Sequence, residues 1–323
     1  MKRKFLIFGG SGFIGEHLTS YLHVKKEEVK IYDIKRPQKE DQLKYKMIDI
    51  RNPISITEDF GSYDIIINLA AIHKTPGHSN HEYFDTNING AKNICDFARE
   101  KKINTILFTS SISIYGTYED KKSEDTLPMP DVPYGISKLT AEYIHKEWYA
   151  EDDKNRRLII LRPGVVFGKN ERGNFTRLVN SLQKKYFAYV GRKDVRKACI
   201  YVKDLVDVIY KFSIDNELKN EIFNISYNPS DSIERIVSII SKKGKMNFPR
   251  FVIPKSIIIF ISSILFYIFR KKDFNILRMK KLVISNNIDS NKLNDRYKLK
   301  IGFEEAIEDW MSETDFIKNK KIY

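Results

Sequence analysis

The stretch that decides the fold is Arg3-Lys-Phe-Leu-Ile-Phe8, followed directly by Gly9-Gly-Ser-Gly-Phe-Ile-Gly15. The first part is a short run rich in β-forming residues, and after the glycines apolar residues recur with helical spacing as far as Leu22. The glycines allow a tight turn, close approach of the main chain to a pyrophosphate, and close packing of helix on strand. The first N–H groups of the helix then face the phosphates. This order predicts a dinucleotide site whose cofactor contacts are Gly9, Gly12, Phe13, Ile14 and Gly15.

The second predicted strand, 28–32, ends at Asp33. Asp33 lies about 20 residues beyond the glycines, where a carboxylate binds both hydroxyls of a ribose and repels a 2′-phosphate. Asp33 therefore favours NAD over NADP, although Lys35 and Arg36 follow closely and weaken that preference. The alternative interpretation of Asp33 is an ordinary turn residue at a strand end.

Further strands alternate with helices along the chain. Predicted strands at 45–48, 64–69 and 105–108 surround a predicted helix at 83–102. This alternation predicts an α/β fold, a doubly wound parallel Rossmann sheet with a smaller C-terminal substrate-binding lobe, and ligands at the carboxyl ends of the strands. The cofactor contacts expected at these ends are Asp49, Ile50, Leu69, Ala70 and Ala71.

Hydroxyl groups follow the strand that ends at Phe108, in the run Thr109-Ser-Ser-Ile-Ser-Ile-Tyr-Gly116. Later comes Pro133-Tyr-Gly-Ile-Ser-Lys138, in which proline suits the first turn of a helix and Tyr134 and Lys138 share one face. A phenol beside an ammonium has a lowered pKa, so Tyr134 is expected to take a proton from a substrate hydroxyl. The predicted catalytic set is Ser111, Tyr134 and Lys138. The Tyr-x-x-x-Lys spacing alone is common on ordinary helices, and it gains weight only beside the glycine turn.

Taken together, these motifs resemble the extended short-chain dehydrogenases that modify nucleotide sugars. The likeness includes Asn68-Leu-Ala-Ala71 and continues through Leu161-Arg-Pro-Gly-Val-Val-Phe-Gly168, Ile200-Tyr-Val-Lys-Asp-Leu-Val206 and Phe223-Asn-Ile225. It implies a bound NAD, a sugar-nucleotide pocket in the C-terminal lobe, and the catalytic roles given above. It also implies cofactor-side roles for Asn87 and Pro163, and substrate contacts at His73, Ser113, Asn174, Arg196 and Lys197.

The residues just before the Tyr115-Gly116 pair reduce the number of reactions that this chain could catalyse. Dehydratases and decarboxylases of this family carry acidic residues there, whereas this chain has Ile112, Ser113 and Ile114. Our first hypothesis is therefore C4 epimerisation through a transient 4-keto sugar, in surface polysaccharide biosynthesis. The second is NAD(P)H-dependent reduction of a 4-keto sugar, and a third, from another class, is an NAD sensor without catalysis.

The sugar carrier is left open by two departures from the family pattern. Val165 stands where many epimerases have a nucleotide-contacting asparagine, and Lys197 or Arg196 stands where an arginine usually meets the diphosphate. A nucleotide sugar and a polyprenyl-diphosphate-linked sugar are both open as substrates.

We expect a Rossmann domain over 1–166, with returning segments near 200–225, and a mainly substrate-binding lobe over 167–323. Residues 256–269 form an uncharged apolar run followed by Arg270-Lys-Lys272. At 14 residues the run is shorter than the roughly 18 needed to span a bilayer. It indicates either a core or oligomer contact, or a peripheral contact with anionic lipid. A homodimer is expected from the family resemblance.

The formal charge of +14 is spread along the chain without a nucleic-acid-binding motif, so no nucleic-acid partner is expected. Cys95 and Cys199 match no metal or redox spacing. His73, His78 and His81 cluster, but no companion carboxylates stand at a firm metal-ligand spacing, so a substrate-side loop is favoured over a metal site. The apolar run after the basic N-terminus stops at Gly9, too soon for a secretory signal. A cytoplasmic location is therefore expected, either free or attached to the inner face of the membrane.

Overall fold

The computed structural model describes residues 3–37, 44–61, 64–74, 77–254, 256–257, 283–314 and 316. The chain divides into two compact units. The first comprises Met1–Gly116, Thr126–Pro163 and Val202–Ile225, and the second comprises Thr117–Asp125, Gly164–Tyr201 and Ser226–Tyr323. Each unit is thus assembled from several separate pieces of the chain. The assignment of substrate binding to the second unit stays a prediction.

The strands are short and numerous. They are β1 Lys4–Phe8, β2 Glu28–Asp33, β3 Lys44–Met47, β4 Ile65–Asn68, β5 Thr105–Thr109, β6 Arg157–Pro163, β7 Val165–Phe167, β8 Tyr189–Val190, β9 Arg196–Lys197, β10 Cys199–Tyr201, β11 Asn220–Ile225, β12 Asp231–Ser232 and β13 Val252–Ile253.

Seven of these strands form one parallel sheet in the first unit, in the order β11-β6-β5-β4-β1-β2-β3. The predicted doubly wound parallel sheet is confirmed. Its strand order reverses between β1 and β4, and ligands of such sheets bind at the carboxyl ends of the strands at this point. The register aligns Phe8 of β1 with Asn68 of β4, and Asn68 with Phe108 of β5. The segments that follow these three residues therefore leave the sheet side by side.

The helices are α1 Phe13–Val24, α2 Asn80–Phe84, α3 Gly90–Glu100, α4 Pro133–Ala150, α5 Asn174–Gln183, α6 Val202–Ile214, α7 Ile233–Lys243, α8 Asn291–Arg296 and α9 Phe303–Glu313, with a π turn at Asp85–Asn89 and a 3₁₀ turn at Ile112–Tyr115.

Both faces of the sheet are covered, which explains the near-continuous apolar composition of its central strands. Leu6 and Phe8 point into a core shared with residues of α3 and α4, including Phe97 and Trp148. Side chains of a strand alternate between faces. Phe5 accordingly lies on the other face, with its ring centroid 6.1 Å from that of Tyr210 in α6.

The predicted helix over 83–102 is interrupted rather than continuous. It consists of α2, the π turn Asp85–Asn89, and α3. The π turn holds the buried amide of Asn87, which bonds to the main chain of Ile72 in the loop after β4. Helical periodicity alone did not predict this break, because the cause is a bond to a distant loop.

The second unit has its own aromatic core. Phe167 stacks on Phe175 with ring centroids 4.5 Å apart and on Tyr201 at 5.3 Å, while Trp310 meets Phe167 edge-on at 5.8 Å. The described part of the second unit also contains three two-stranded pairs, β7 with β10, β8 with β13, and β9 with β12.

In the part of the chain that the structure describes, no helix has the length and apolar character needed to cross a bilayer. Most of the apolar run 256–269, from residue 258 onwards, lies outside the described residues.

Candidate active site

The glycine turn after β1 is built around close main-chain contacts. Gly9 has φ +82°, and a Cβ added there would meet the Ala70 main-chain nitrogen at 2.6 Å. A Cβ at Gly15 would meet the Gly9 carbonyl oxygen at 2.5 Å. No side chain caps the N-terminus of α1, so its first N–H groups are directed outwards at the end of the sheet. This geometry fits the pyrophosphate of a dinucleotide.

Asp33 lies beside this turn. Its carboxylate accepts a hydrogen bond from the Ser11 N–H at 3.0 Å and another from the Lys35 N–H at 3.0 Å. The side chain is thereby fixed next to the phosphate-binding loop, the position at which a carboxylate would meet ribose hydroxyls. The preference for NAD that we drew from Asp33 is compatible with this position.

The other predicted cofactor residues occupy less uniform surroundings. The carboxylate of Asp49 is bound by Arg51, whose Nη2 lies 2.6 Å from Oδ2, and this hydrogen bond lowers the pKa of Asp49. The side chain of Ile50 is buried against Gly90. Ile50 is therefore mainly a core residue. Roles of these residues toward an adenine ring stay predictions.

The segment after β4 forms the far wall of the turn. The Leu69 N–H donates to the Phe8 carbonyl at 2.9 Å, and the Ala70 N–H donates to Asn68 Oδ1 at 3.2 Å. Ala71 follows, partly buried. The small side chains of Ala70 and Ala71 would allow a ligand to approach the main chain here.

Asn87 joins this segment to α4. Its Oδ1 accepts from the Ile72 N–H at 2.9 Å, and its Nδ2 donates to the Ile72 carbonyl at 3.1 Å and to the Ser137 hydroxyl at 2.8 Å. Ser137 in turn donates to the Tyr134 carbonyl at 2.9 Å. The predicted supporting role of Asn87 is thus compatible with its bonds, which tie the loop after β4 to the helix that carries Tyr134.

The three predicted catalytic residues are brought together by close packing of α4 on the 3₁₀ turn. A Cβ at Gly135 would meet the Ser113 carbonyl oxygen at 2.5 Å. Ser111 caps the 3₁₀ turn by accepting from the Ser113 N–H at 3.1 Å, and its hydroxyl is near enough to Tyr134 to favour a lower pKa of the phenol. Lys138 lies one turn further along α4, buried, with Nζ 4.2 Å from the ring centroid of Phe108.

Our expectation that Lys138 lowers the pKa of Tyr134 is wrong for this arrangement. Burial raises the pKa of Tyr134 to about 12, and the influence that opposes it is the hydrogen bond with Ser111. Burial also lowers the pKa of Lys138 to about 7, against the attraction of Glu142. The charge of Lys138 is not among the influences that shift the pKa of Tyr134, so it does not offset the desolvation of the phenol.

The predicted substrate contacts fall in both units. His73 and Ser113 belong to the first unit. Desolvation and then the charge of Lys138 lower the pKa of His73. Within the described chain, the buried hydroxyls of Ser110 and Ser113 have no hydrogen-bond partner. Buried hydroxyls in this condition usually serve a ligand or ordered water.

In the second unit, Asn174 is exposed at the start of α5. Arg196 donates to the Ser230 carbonyl at 2.6 Å, and Nζ of Lys197 donates to the Ile284 carbonyl at 3.0 Å. Burial lowers the pKa of Lys197 to about 8. Contacts of these residues with a substrate stay predictions.

A buried polar network was missed by the sequence analysis. Arg162 forms two hydrogen bonds to Glu142, at 3.0 and 2.7 Å, and donates to the Tyr115 hydroxyl at 2.8 Å. Tyr115 donates to Asn224 at 2.8 Å. These residues are far apart in sequence, so the only available signal was the charged arginine inside the apolar run 158–163.

No metal centre emerges from the histidines. Over the described ranges, no group of three or more His, Cys, Asp or Glu side chains could hold a metal ion. His78 instead contacts the ring of Tyr83, with centroids 5.9 Å apart, and lies 3.7 Å from Glu82.

The family is decided by a match of residues 5–226, more than half of the chain, to the model of the NAD dependent epimerase/dehydratase family. The chain belongs to that family. This epimerase/dehydratase family member is accordingly an enzyme of the extended short-chain dehydrogenase type, and its cofactor is NAD. The glycine cradle, the uncapped start of α1 and Asp33 are the parts of this chain that fit the cofactor.

Curated relatives of this family member are similar over most of their length. The N-acetyl-alpha-D-glucosaminyl-diphospho-ditrans,octacis-undecaprenol 4-epimerase of Escherichia coli O157:H7 is 27% identical over 259 residues, 79% of this chain and 76% of the relative. An uncharacterized UDP-glucose epimerase, YtcB of Bacillus subtilis, is 29% identical over 272 residues, 76% of this chain and 84% of the relative.

Solved structures share the fold. MoeE5, in complex with UDP-glucuronic acid and NAD, has a TM-score of 0.77 at 19% identity and covers 96% of this chain and 99% of its own. The UDP-glucuronic acid 4-epimerase from Bacillus cereus, in complex with NAD, has a TM-score of 0.74 at 21% identity, with 98% of each chain covered.

Proposed function

We propose that this enzyme is an NAD-dependent C4 epimerase of diphosphate-linked sugars, acting in surface polysaccharide biosynthesis. The observation that carries the proposal is the close packing of α4 on the 3₁₀ turn, which brings Tyr134 next to the turn that Ser111 caps, with Lys138 one helical turn away. No acid for an elimination stands between Ser111 and Tyr115. Similarity to a 4-epimerase of Escherichia coli supports the same reaction.

In this mechanism Tyr134 accepts the proton of the sugar C4 hydroxyl while Ser111 holds the same oxygen by a hydrogen bond. NAD, which the glycine turn and Asp33 would hold, would supply the acceptor for the C4 hydride and the source of the same hydride for its return. Loss of proton and hydride leaves a 4-keto sugar, which must rotate in the site before Tyr134 gives its proton back. Lys138 contributes positive charge near the oxygen that loses the proton.

The carrier that we favour is a polyprenyl diphosphate rather than a nucleotide. Two features support this choice: Val165 replaces the nucleotide-contacting asparagine expected from the family resemblance, and the Escherichia coli relative is named for an undecaprenol-linked sugar. The unpartnered hydroxyls of Ser110 and Ser113 suit the hydroxyl groups of a sugar, whichever carrier holds it.

The activity is tested by incubating purified protein, with NAD, against a panel of UDP-hexoses, UDP-N-acetylhexosamines and an undecaprenyl-diphosphate N-acetylhexosamine, with products followed by NMR. Interconversion of C4 epimers without added reductant is expected. Turnover that requires stoichiometric NADH or NADPH would replace the proposal with a 4-keto-sugar reductase.

Tyr134→Phe separates an enzyme from an NAD sensor. Turnover should fall by about 10²–10⁴-fold because the general base is lost, while calorimetry still detects NAD binding. Tyr186→Phe is the matched control, since Tyr186 has 66% of its surface exposed and lies outside both the predicted catalytic set and α4, and it should leave turnover unchanged. Equal activity of both variants would exclude the proposed base.

We further propose peripheral attachment to the inner face of the membrane through the second unit. Its support among the described residues is an exposed apolar group, Phe251 and Ile257, beside exposed Arg250. In co-sedimentation with phosphatidylglycerol vesicles, Phe251→Ser/Ile257→Ser should reduce binding, whereas Met47→Ser, an exposed methionine of the first unit, should not. Unchanged binding of the double variant would contradict this attachment.

We also propose a homodimer through α4. Ile136 and Tyr143 on this helix are exposed, at 41% and 60% of their surface. Tyr143→Glu should lower the mass measured by light scattering from that of a dimer to that of a monomer. A monomeric parent protein would contradict the proposal.

A further inference from the structure

Tyr134, Lys138 and Glu142 are spaced at successive four-residue intervals on α4, so they lie along one face of the helix. A lysine and a glutamate four residues apart normally attract each other. Between Lys138 and Glu142, both of which the structure describes, no ion pair forms. Nζ of Lys138 lies instead 4.2 Å from the ring centroid of Phe108.

Glu142 is occupied by a different cation. Oε1 accepts from Nε of Arg162 at 3.0 Å and Oε2 accepts from Nη2 at 2.7 Å. The side chains of Arg162 and Glu142 are 3% and 1% exposed, so water does not compete for either. A planar two-point bond of this kind fixes the carboxylate in a way that a lysine could not.

Arg162 is itself held from a third direction. Its Nη1 donates to the Tyr115 hydroxyl at 2.8 Å, and that hydroxyl donates to Asn224 Oδ1 at 2.8 Å. Tyr115 ends the 3₁₀ turn that Ser111 caps, and Asn224 belongs to β11. The guanidinium therefore connects α4, which carries the predicted base, to the 3₁₀ turn that Ser111 caps.

We propose that Arg162 is a positioning residue that holds Glu142 away from Lys138, so that the Lys138 ammonium stays available to Tyr134. The physical reason is that a buried carboxylate requires a cationic partner, and Lys138 is a buried cation one helical turn away. Lys146 lies one turn in the other direction, but its Nζ is 5.6 Å from the ring centroid of Tyr143 and its side chain is less buried than that of Lys138. Loss of Arg162 would leave Glu142 to capture Lys138. This inference rests on the proposed function of Lys138 as a charge beside Tyr134.

Several charged groups act on Lys138. Glu142 and Tyr134 lie on its own helix, His145 lies one turn beyond Glu142, and His73 lies in the loop after β4. Desolvation lowers the pKa of Lys138, Glu142 raises it, and the Lys138 charge lowers the pKa values of His73 and His145. Arg162 and Glu142 carry opposite charges, so removal of either one alone should change the proton affinity of Lys138 in opposite directions.

The test is NMR titration of the full-length protein labelled with ¹³Cε-lysine, with Lys138→Met identifying the resonance. In Arg162→Met the Lys138 midpoint should rise by at least one pH unit, because the unpaired carboxylate attracts the proton. In Glu142→Gln it should fall by a similar amount, and in the double variant Glu142→Gln/Arg162→Met it should return to within about half a unit of the parent.

Turnover provides the second measurement. Arg162→Met should lose at least about tenfold in kcat, and the double variant should recover most of that loss, since no carboxylate remains to capture Lys138. A merely structural role would make the double variant no better than Arg162→Met. Identical Lys138 midpoints in the parent and Arg162→Met would overturn the proposal.

If Arg162→Met fails to fold, the Glu142→Gln variant provides the test. An unchanged Lys138 midpoint in Glu142→Gln would overturn the proposal. The titration needs no sugar substrate. If the Lys138 midpoints shift as expected but the protein does not epimerise any sugar, only the proposed function is refuted. If the protein epimerises a sugar but the Lys138 midpoints do not shift, only this inference is refuted.

Discussion

At the scale of single residues, Lys138 has an ammonium group buried away from water, and we propose that this group acts in the chemistry. Its side chain is buried, with the ammonium 4.2 Å from the Phe108 ring centroid, and no carboxylate among the described residues forms an ion pair with it. Burial lowers its pKa to about 7 from 10.5. A buried ammonium destabilises the folded protein. Its presence here is therefore better explained by a functional role than by a structural one.

Lys138→Met should stabilise the protein most at low pH. Between about pH 7 and pH 10.5 the unfolded chain keeps a proton on Lys138 that the native protein releases, so the free energy of unfolding rises with pH in this window. Methionine removes this dependence. Its gain should be on the order of 2 kcal/mol or more at pH 6.5, about 4 °C in Tm, and should shrink by pH 9.5.

The measurement is Tm by calorimetry at pH 6.5 and pH 9.5. Lys146→Met, on the same helix, is the control and should leave the pH dependence of Tm unchanged. A gain for Lys138→Met that is equal at both pH values would contradict the buried-ammonium account.

The residue scale also marks where sequence reasoning failed. The Tyr134–Lys138 spacing correctly predicted a shared helix face, but not the sign of the pKa shift of Tyr134. That sign depends on how deeply the phenol and ammonium are buried, which spacing does not reveal. For Arg162 and Glu142, pairing depends on a strand and a helix meeting in space.

At the scale of elements, the contact of α4 with the 3₁₀ turn positions the predicted base. Gly135 allows this contact, since a Cβ there would lie 2.5 Å from the Ser113 carbonyl oxygen. The opposing atom belongs to the main chain, so it cannot move aside as a flexible side chain would. The element that carries Tyr134 and the element that carries Ser111 are therefore fixed relative to one another.

Gly135→Ala should separate α4 from the 3₁₀ turn. We expect a loss of about 1–3 kcal/mol in unfolding free energy from overpacking, and a fall of up to about 10²-fold in kcat from misplacement of Tyr134. Urea denaturation and the epimerase assay measure the two effects. Gly61→Ala, where a Cβ would meet no described atom within 4 Å, should stay within about 0.5 kcal/mol of the parent. Full activity of Gly135→Ala would contradict this account of the contact.

Sequence patterns predicted the central strands β1, β4 and β5 well because each is a buried, mainly apolar run. They failed at 83–102, where a π turn interrupts the helix. A π turn places one extra residue in a helix at little local cost, and such turns often occur at functional sites. Here its reason is the bond between Asn87 and the Ile72 main chain, which no local pattern contains.

At the scale of the whole molecule, the chain returns repeatedly between two units, and the Rossmann unit alone includes three separate segments. The glycine turn, Asp33 and the Tyr134–Lys138 pair all belong to that unit, which explains why motif reasoning worked there. The second unit has short strand pairs and an aromatic core without a comparable motif. Its substrate contacts therefore stay predictions.

The central claim is that the C4 hydride of the sugar leaves and returns to the same carbon. The most direct test uses a sugar of the panel that the enzyme epimerises, labelled with deuterium at C4. It is incubated with the enzyme and NAD in ordinary water, without added reductant. We predict that both C4 epimers retain the deuterium at C4, as measured by NMR and mass spectrometry. Loss of deuterium to solvent, or conversion only with stoichiometric NADH, would contradict the account.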